Sequence, residues 1–188
     1  MMKNLKLLAL FITAIAFTSC SDDDDAPEVI NEEEVITDVS LTFTNESNEE
    51  TTYTFTDPQY RDENYVDPVI LLNEGEIYQV ETNFYNNSNP QDPELITAEV
   101  QEERDDHFIT YSFSEASVDL NRTDSEASTD SNGVQIGLFT EWITTATSSG
   151  EVIVRLIHQP ESKDTSDGYG SFSGGETDVE VSFDIEIQ

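Results

Sequence analysis

The sequence predicts an all-β chain folded as an antiparallel β-sandwich of the immunoglobulin-like type, with a jelly roll or small barrel as the second choice and at most one short helix. Three observations predict it. From Val35 onward apolar residues recur with a period of two, the spacing that lines one face of a strand. Eight or so such runs are separated by clusters of Asn, Asp, Gly and Pro, the residues that turn a chain. One segment alone has helical spacing, so the alternating strand–helix order of an α/β protein is missing.

In chain order, Val39, Leu41 and Phe43 alternate with polar neighbours, and Thr51 to Thr56 sets Tyr53 and Phe55 on one face; the two runs form a hairpin around Asn45 to Glu50. Asp57 to Pro68 reads as a loop and Val69 to Leu72 as a short strand, followed by a strand over Ile77 to Tyr85 with Tyr78, Val80 and Phe84 inward. Glu94 to Arg104 is the one plausible helix, with Leu95, Ile96 and Val100 as its stripe. Strands follow at His107 to Phe113, around Val118 and Leu120, over Val134 to Ile143 with Trp142 on the core face, and over Glu151 to Gln159. This last strand is apolar on both faces, which suits a central position. Val179 to Ile187 closes the chain with five apolar residues on one side.

The chain of 188 residues carries 41 acidic against 7 basic residues, a formal net charge of −34. Such a surface repels nucleic acid and anionic headgroups and attracts cations, and its few basic residues are scattered, so nucleic-acid binding is excluded. Apolar residues make up 36% and aromatics 10%, and their periodic arrangement separates the chain from disordered acidic polymers.

The N-terminus reads as a leader. Lys3 and Lys6 precede an apolar run from Leu7 to Phe17, too short for a hydrocarbon core that needs about 20 residues. It ends at Thr18, Ser19 and Cys20, and Cys20 is the single cysteine, which excludes an internal disulfide. The junction resembles a bacterial lipobox, although Phe17 stands where Leu is usual; the resemblance implies that residues 1–19 are removed and that Cys20 is acylated. Ser21, Asp22, Asp23, Asp24 and Asp25 resemble the export signal of Bacteroidota surface lipoproteins, which implies an outer-membrane anchor facing the cell exterior. Residues 20–34 are charged and poor in apolar groups, a tether that reaches on the order of 50 Å when extended at about 3.3 Å per residue. The folded domain is expected over 35–188. Its segments "VITDVSLTFTN", "VRLIHQPESK" and "GGETDVEVSFDI" are similar to those of a group of short Bacteroidota lipoproteins. That group is often labelled type 1 periplasmic binding fold, a two-lobed α/β architecture whose repeated strand–helix units this sequence lacks. The resemblance implies a link to outer-membrane uptake, with a TonB-dependent receptor as partner.

No catalytic constellation stands out, and a non-catalytic role is expected. Gly168 to Gly175 superficially suggests a nucleophile elbow, but Phe172 holds the central position and predicted strands lie on both sides. Phosphate-loop, dinucleotide and zinc-protease motifs are missing. No cofactor is expected, although a divalent cation has two candidate settings. His107 and His158 sit at strand ends near carboxylates, with Glu102, Glu103, Asp105 and Asp106 beside the first and Glu161 and Asp164 beside the second, and imidazole with carboxylate suits a transition metal. Two acidic loops, one with Asp57, Asp62, Glu63 and Asp67 and one with Asp124, Glu126, Asp130 and Asn132, carry oxygens of the kind calcium takes. Finally, Tyr60 and Tyr65 in one loop and Tyr169 and Phe172 in another offer flat rings for a ligand. The sequence thus points to a binding or accessory module on the cell surface, with cation capture or a structural, adhesive role as alternatives.

Overall fold

The computed structural model describes residues 34–188. The leader, Cys20 and the Ser21–Asp25 segment lie outside the described residues. The elements are β1 (Asp38–Thr44), β2 (Glu50–Thr56), β3 (Val69–Leu72), β4 (Ile77–Asn86), β5 (Glu94–Leu95), α1 (Thr97–Glu102), β6 (His107–Ser114), β7 (Val118–Arg122), a 3-10 turn (Glu126–Ser128), β8 (Phe139–Thr144), β9 (Ser148–His158), β10 (Ser162–Asp164), β11 (Ser171–Ser173) and β12 (Glu176–Ile187).

Two sheets form the sandwich. One has the order β2-β1-β4-β8-β7, with β5 added to the end of β4, and the other has the order β3-β12-β9-β6. Dropping the extra β1–β2 hairpin leaves β4-β8-β7 facing β6-β9-β12, the B-E-D and C-F-G arrangement of an immunoglobulin-like sandwich. Strand pairing is antiparallel except between β3 and β12, which run parallel with Ile70 opposite Ile185. As its two apolar faces suggest, β9 is central, between β12 and β6.

The core lies between the sheets, built from the alternating residues. Trp142 on β8 is fully buried and meets Phe43, Tyr111 and Phe113 edge-on at ring separations of 5.1, 6.0 and 4.9 Å. Phe55 meets Phe183 across the layer, and Thr82 Oγ1 is 2.7 Å from Tyr111 Oη. At the edge, Leu71 N–H donates to Tyr53 Oη and that hydroxyl donates to Leu71 O, tying β3 to β2.

Three local expectations change. The run Val134 to Ile143 is not one strand: at Gly137 φ is +99°, and only Phe139–Thr144 joins the sheet as β8. The helix shrinks to six residues, because Glu94–Leu95 pairs with β4 and leaves Leu95 48% exposed, so Ile96 and Val100 alone are buried from its predicted stripe. Arg122 is not one of a set of scattered surface charges. Its guanidinium donates to the carbonyls of Ile109, Gln135, Gly168 and Tyr169 and lies over the Phe108 ring. A Cβ at Gly137 or Gly170, both with positive φ, would collide with it.

Candidate functional site

At one end of the sandwich interior the two histidines come together. His107 on β6 and His158 on β9 are cross-strand partners, and residues opposite each other in an antiparallel pair share a face. Their rings stack at 5.0 Å between centroids and 15° between planes. On the third strand, the pairing of β12 with β9 slips by one residue between Thr177 and Val179. Asp178 is the extra residue of this bulge, and a bulge re-aims the side chain it carries. Strict alternation would send Asp178 outward, opposite Val179. Instead its buried carboxylate lies 3.8 Å from His107 Nε2 and 3.9 Å from His158 Nδ1.

Glu103, just past α1, and Glu34, in the extended segment before β1, complete the cluster. One donor atom from each of Glu34, Glu103 and His107 lies within 4.8 Å of the other two. Glu34 Oε2 is buried without a hydrogen-bond partner. His107 Nδ1 is 3.2 Å from the Glu103 carbonyl, which can only accept, so Nδ1 carries the proton and Nε2 presents its lone pair.

The charges are arranged unusually. Burial, followed by its neighbour His158, pushes His107 down to about 4, so at neutral pH it is an uncharged imidazole. Burial, then the carboxylates of Glu99, Asp178 and Glu103, pushes Glu34 up to about 7. The two shifts act oppositely on stability. The unfolded chain takes up the His107 proton near 6.5 and the folded one only near 4, so His107 favours the fold above 6.5 and costs stability, on the order of 3 kcal/mol, as pH falls through that window. Glu34 favours the fold below 4.5 and loses that contribution as pH rises to about 7, an effect reduced by solvent screening because the side chain is only half-buried. Between about pH 4.5 and 6.5 the two slopes oppose each other. Glu34→Gln should therefore show a steeper gain of stability with pH than the parent in metal-free urea titrations. Parallel profiles for the two proteins would contradict this coupling.

Asp105 and Asp106 are engaged differently from what sequence proximity suggests. Asp105 Oδ1 accepts from Ser131 N–H at 2.6 Å, and the Asp106 carbonyl accepts from Gln159 N–H; both residues are exposed. The carboxylates facing the imidazoles are those of Asp178, Glu103 and Glu34. Glu103 is one of the acids the sequence places beside His107, whereas Asp178 is aimed by a bulge and Glu34 is remote in sequence.

The acidic loops spend their oxygens internally. Asp124 accepts from the N–H groups of Gly137 and Leu138, and Asp130 accepts from Asn132 and Val134 while its other oxygen faces Lys163 Nζ at 3.2 Å. In the first loop, Asp57 and Asp62 close turns onto Gln59 and Asn64, and Asp67 pairs with Arg61.

The four candidate aromatic residues line two separate clefts. Tyr169 and Phe172 border one of about 590 Å³ beside β6, together with Phe113, Arg155 and Asp167. Tyr169 is anchored, its hydroxyl donating to Val118 O, whereas Phe172 is 38% exposed. Tyr60 and Tyr65 border the other, of about 360 Å³. There Arg61 covers the Tyr65 ring at 4.3 Å, and Tyr60 is the exposed member. Among the described residues no helix is long and apolar enough to cross a membrane. No protein-family model matches the chain, and no curated protein or solved structure matches it.

Proposed function

We propose that this chain is a lipid-anchored binding module of the outer-membrane surface, non-catalytic, and an accessory to a TonB-dependent uptake receptor. The observation that carries the binding role is the cleft beside β6, lined by exposed Phe172 of the β10–β11 hairpin together with Tyr169, Phe113, Arg155 and Asp167. Apolar rings beside a few charged groups are the usual composition of a recognition site. The anchor rests on the resemblance of Cys20 and Ser21–Asp25 to lipoprotein signals, and the receptor on the resemblance of the three quoted segments to a group of short Bacteroidota lipoproteins. On intact cells, external protease should remove the domain, and replacing Asp22 to Asp25 with alanine should protect it. Cross-linking on the same cells should recover an outer-membrane receptor, with recovery reduced by Phe172→Ala. Unchanged digestion of the alanine variant would refute surface export, and equal cross-linking with Phe172→Ala would remove the cleft from the interface.

A further inference from the structure

We propose that Glu34, Glu103 and His107 form a site for a divalent transition metal of the zinc type, closed over the end of the sandwich where the chain enters β1. The donor set is mixed, one imidazole and two carboxylates, which suits a borderline cation; calcium would need six to eight oxygens. His107 is 1% exposed, and its Nδ1–H donates to the Glu103 carbonyl. That bond fixes the ring so that Nε2 carries the lone pair, the outer hydrogen bond that metal-bound histidines regularly make. Glu34 Oε2 is buried with no hydrogen-bond partner, an orphaned carboxyl oxygen within the same cluster. Leaving such an oxygen unpaired is costly, and a cation satisfies it.

The spacing also fits. Donors about 2.0–2.2 Å from a tetrahedral ion lie roughly 3.4 Å apart. The three donor atoms already lie within 4.8 Å of one another, and Glu103 is an exposed side chain able to rotate inward. Asp178, with Oδ2 3.8 Å from His107 Nε2, is a further carboxylate beside the cluster, and His158 stacks on the His107 ring. Lys163, the nearby ammonium, is held by the carbonyls of Arg104 and Asp105 and by Asp130. Three protein ligands leave a coordination position open for water or an external group.

The test uses the full chain in detergent at physiological ionic strength, so that loose association with its acidic surface is screened. Zinc titrated calorimetrically should bind with a stoichiometry of one and raise the melting temperature, and cobalt(II) should give visible bands of low-symmetry coordination. Calcium and magnesium at the same concentration should do neither. Glu34→Gln combined with Glu103→Gln should weaken zinc binding at least tenfold while leaving the far-ultraviolet circular dichroism unchanged. His107→Gln should abolish the cobalt bands, and the carboxamide variants keep the test valid if that buried substitution impairs folding. Absence of zinc binding, or binding that survives in the Glu34/Glu103 variant, would overturn the proposal.

Discussion

Arg122→Ala is expected to destabilise the domain by about 3–5 kcal/mol, since hydrogen bonds from a charged group are worth about 1.5–3 kcal/mol each and several are lost together. The guanidinium is largely buried, and it ties four carbonyls from three separate stretches: Ile109 on β6, Gln135 in the segment before β8, and Gly168 and Tyr169 in the loop after β10. Truncation would remove this donor from all four carbonyls, of which Tyr169 O keeps Tyr111 N–H at 3.0 Å, and each acceptor left unsatisfied costs about 1–3 kcal/mol before water enters. Arg122→Lys should recover only part of the loss, since one ammonium cannot reproduce a planar fork. The glycines supply a second check. Gly170→Ala is strained by its φ of +89° and by collision with the guanidinium. In an Arg122→Ala background the backbone strain and a 3.0 Å approach to Phe108 Cζ remain but the collision with the guanidinium is gone, so the double variant should be less destabilised than the sum of the singles. Urea unfolding of the four proteins measures this; strict additivity would show that the glycine and the arginine act independently.

Trp142→Ala should cost a comparable amount, about 3–5 kcal/mol, through lost apolar burial and an unfilled cavity. Trp142 is the hub on which Phe43 and Tyr78 of one sheet and Tyr111 and Phe113 of the other converge, directly or through Phe43. Its Nε1–H donates to Thr140 Oγ1, so its polar atom is satisfied inside the core. Trp142→Phe keeps an aromatic ring among these edge-on contacts and should cost much less, about 1–2 kcal/mol, chiefly from the smaller volume and the lost donor. Because Trp142 is the chain's only tryptophan, its fluorescence follows parent unfolding without background, while circular dichroism must follow the variants. A loss below about 1 kcal/mol for the alanine variant would mean that the core collapses around the gap.

The long alternating strands were legible because a sheet with one buried face writes its period into the sequence. β4 and β12 are buried at every second residue, as their apolar spacing requires. What was illegible depends on contacts between distant residues or on local departures from that period. Gly137 interrupts an apolar run whose spacing alone still looks continuous, because a single positive φ takes the backbone out of the sheet. Asp178 lies in a bulge, and a bulge inverts which face a residue serves without changing the composition around it. His107 and His158 were noticeable as rare residue types, but their juxtaposition follows from the register of β6 on β9, and Glu34 falls in what composition marks as tether. Arg122 had no sequence signature, since all four of its acceptors are backbone carbonyls of residues 13 to 47 positions away.

The Tyr53 hydroxyl has a consequence for behaviour at high local concentration. It occupies both the N–H and the C=O of Leu71 on the rim of the second sheet. Those are the groups through which a strand from another molecule would extend that sheet, and the flanking Val69 and Leu71 side chains are exposed and apolar, a combination that invites such growth. One phenol therefore acts as a stopper against edge-to-edge oligomers, letting the domain be packed densely without zipping to its neighbours.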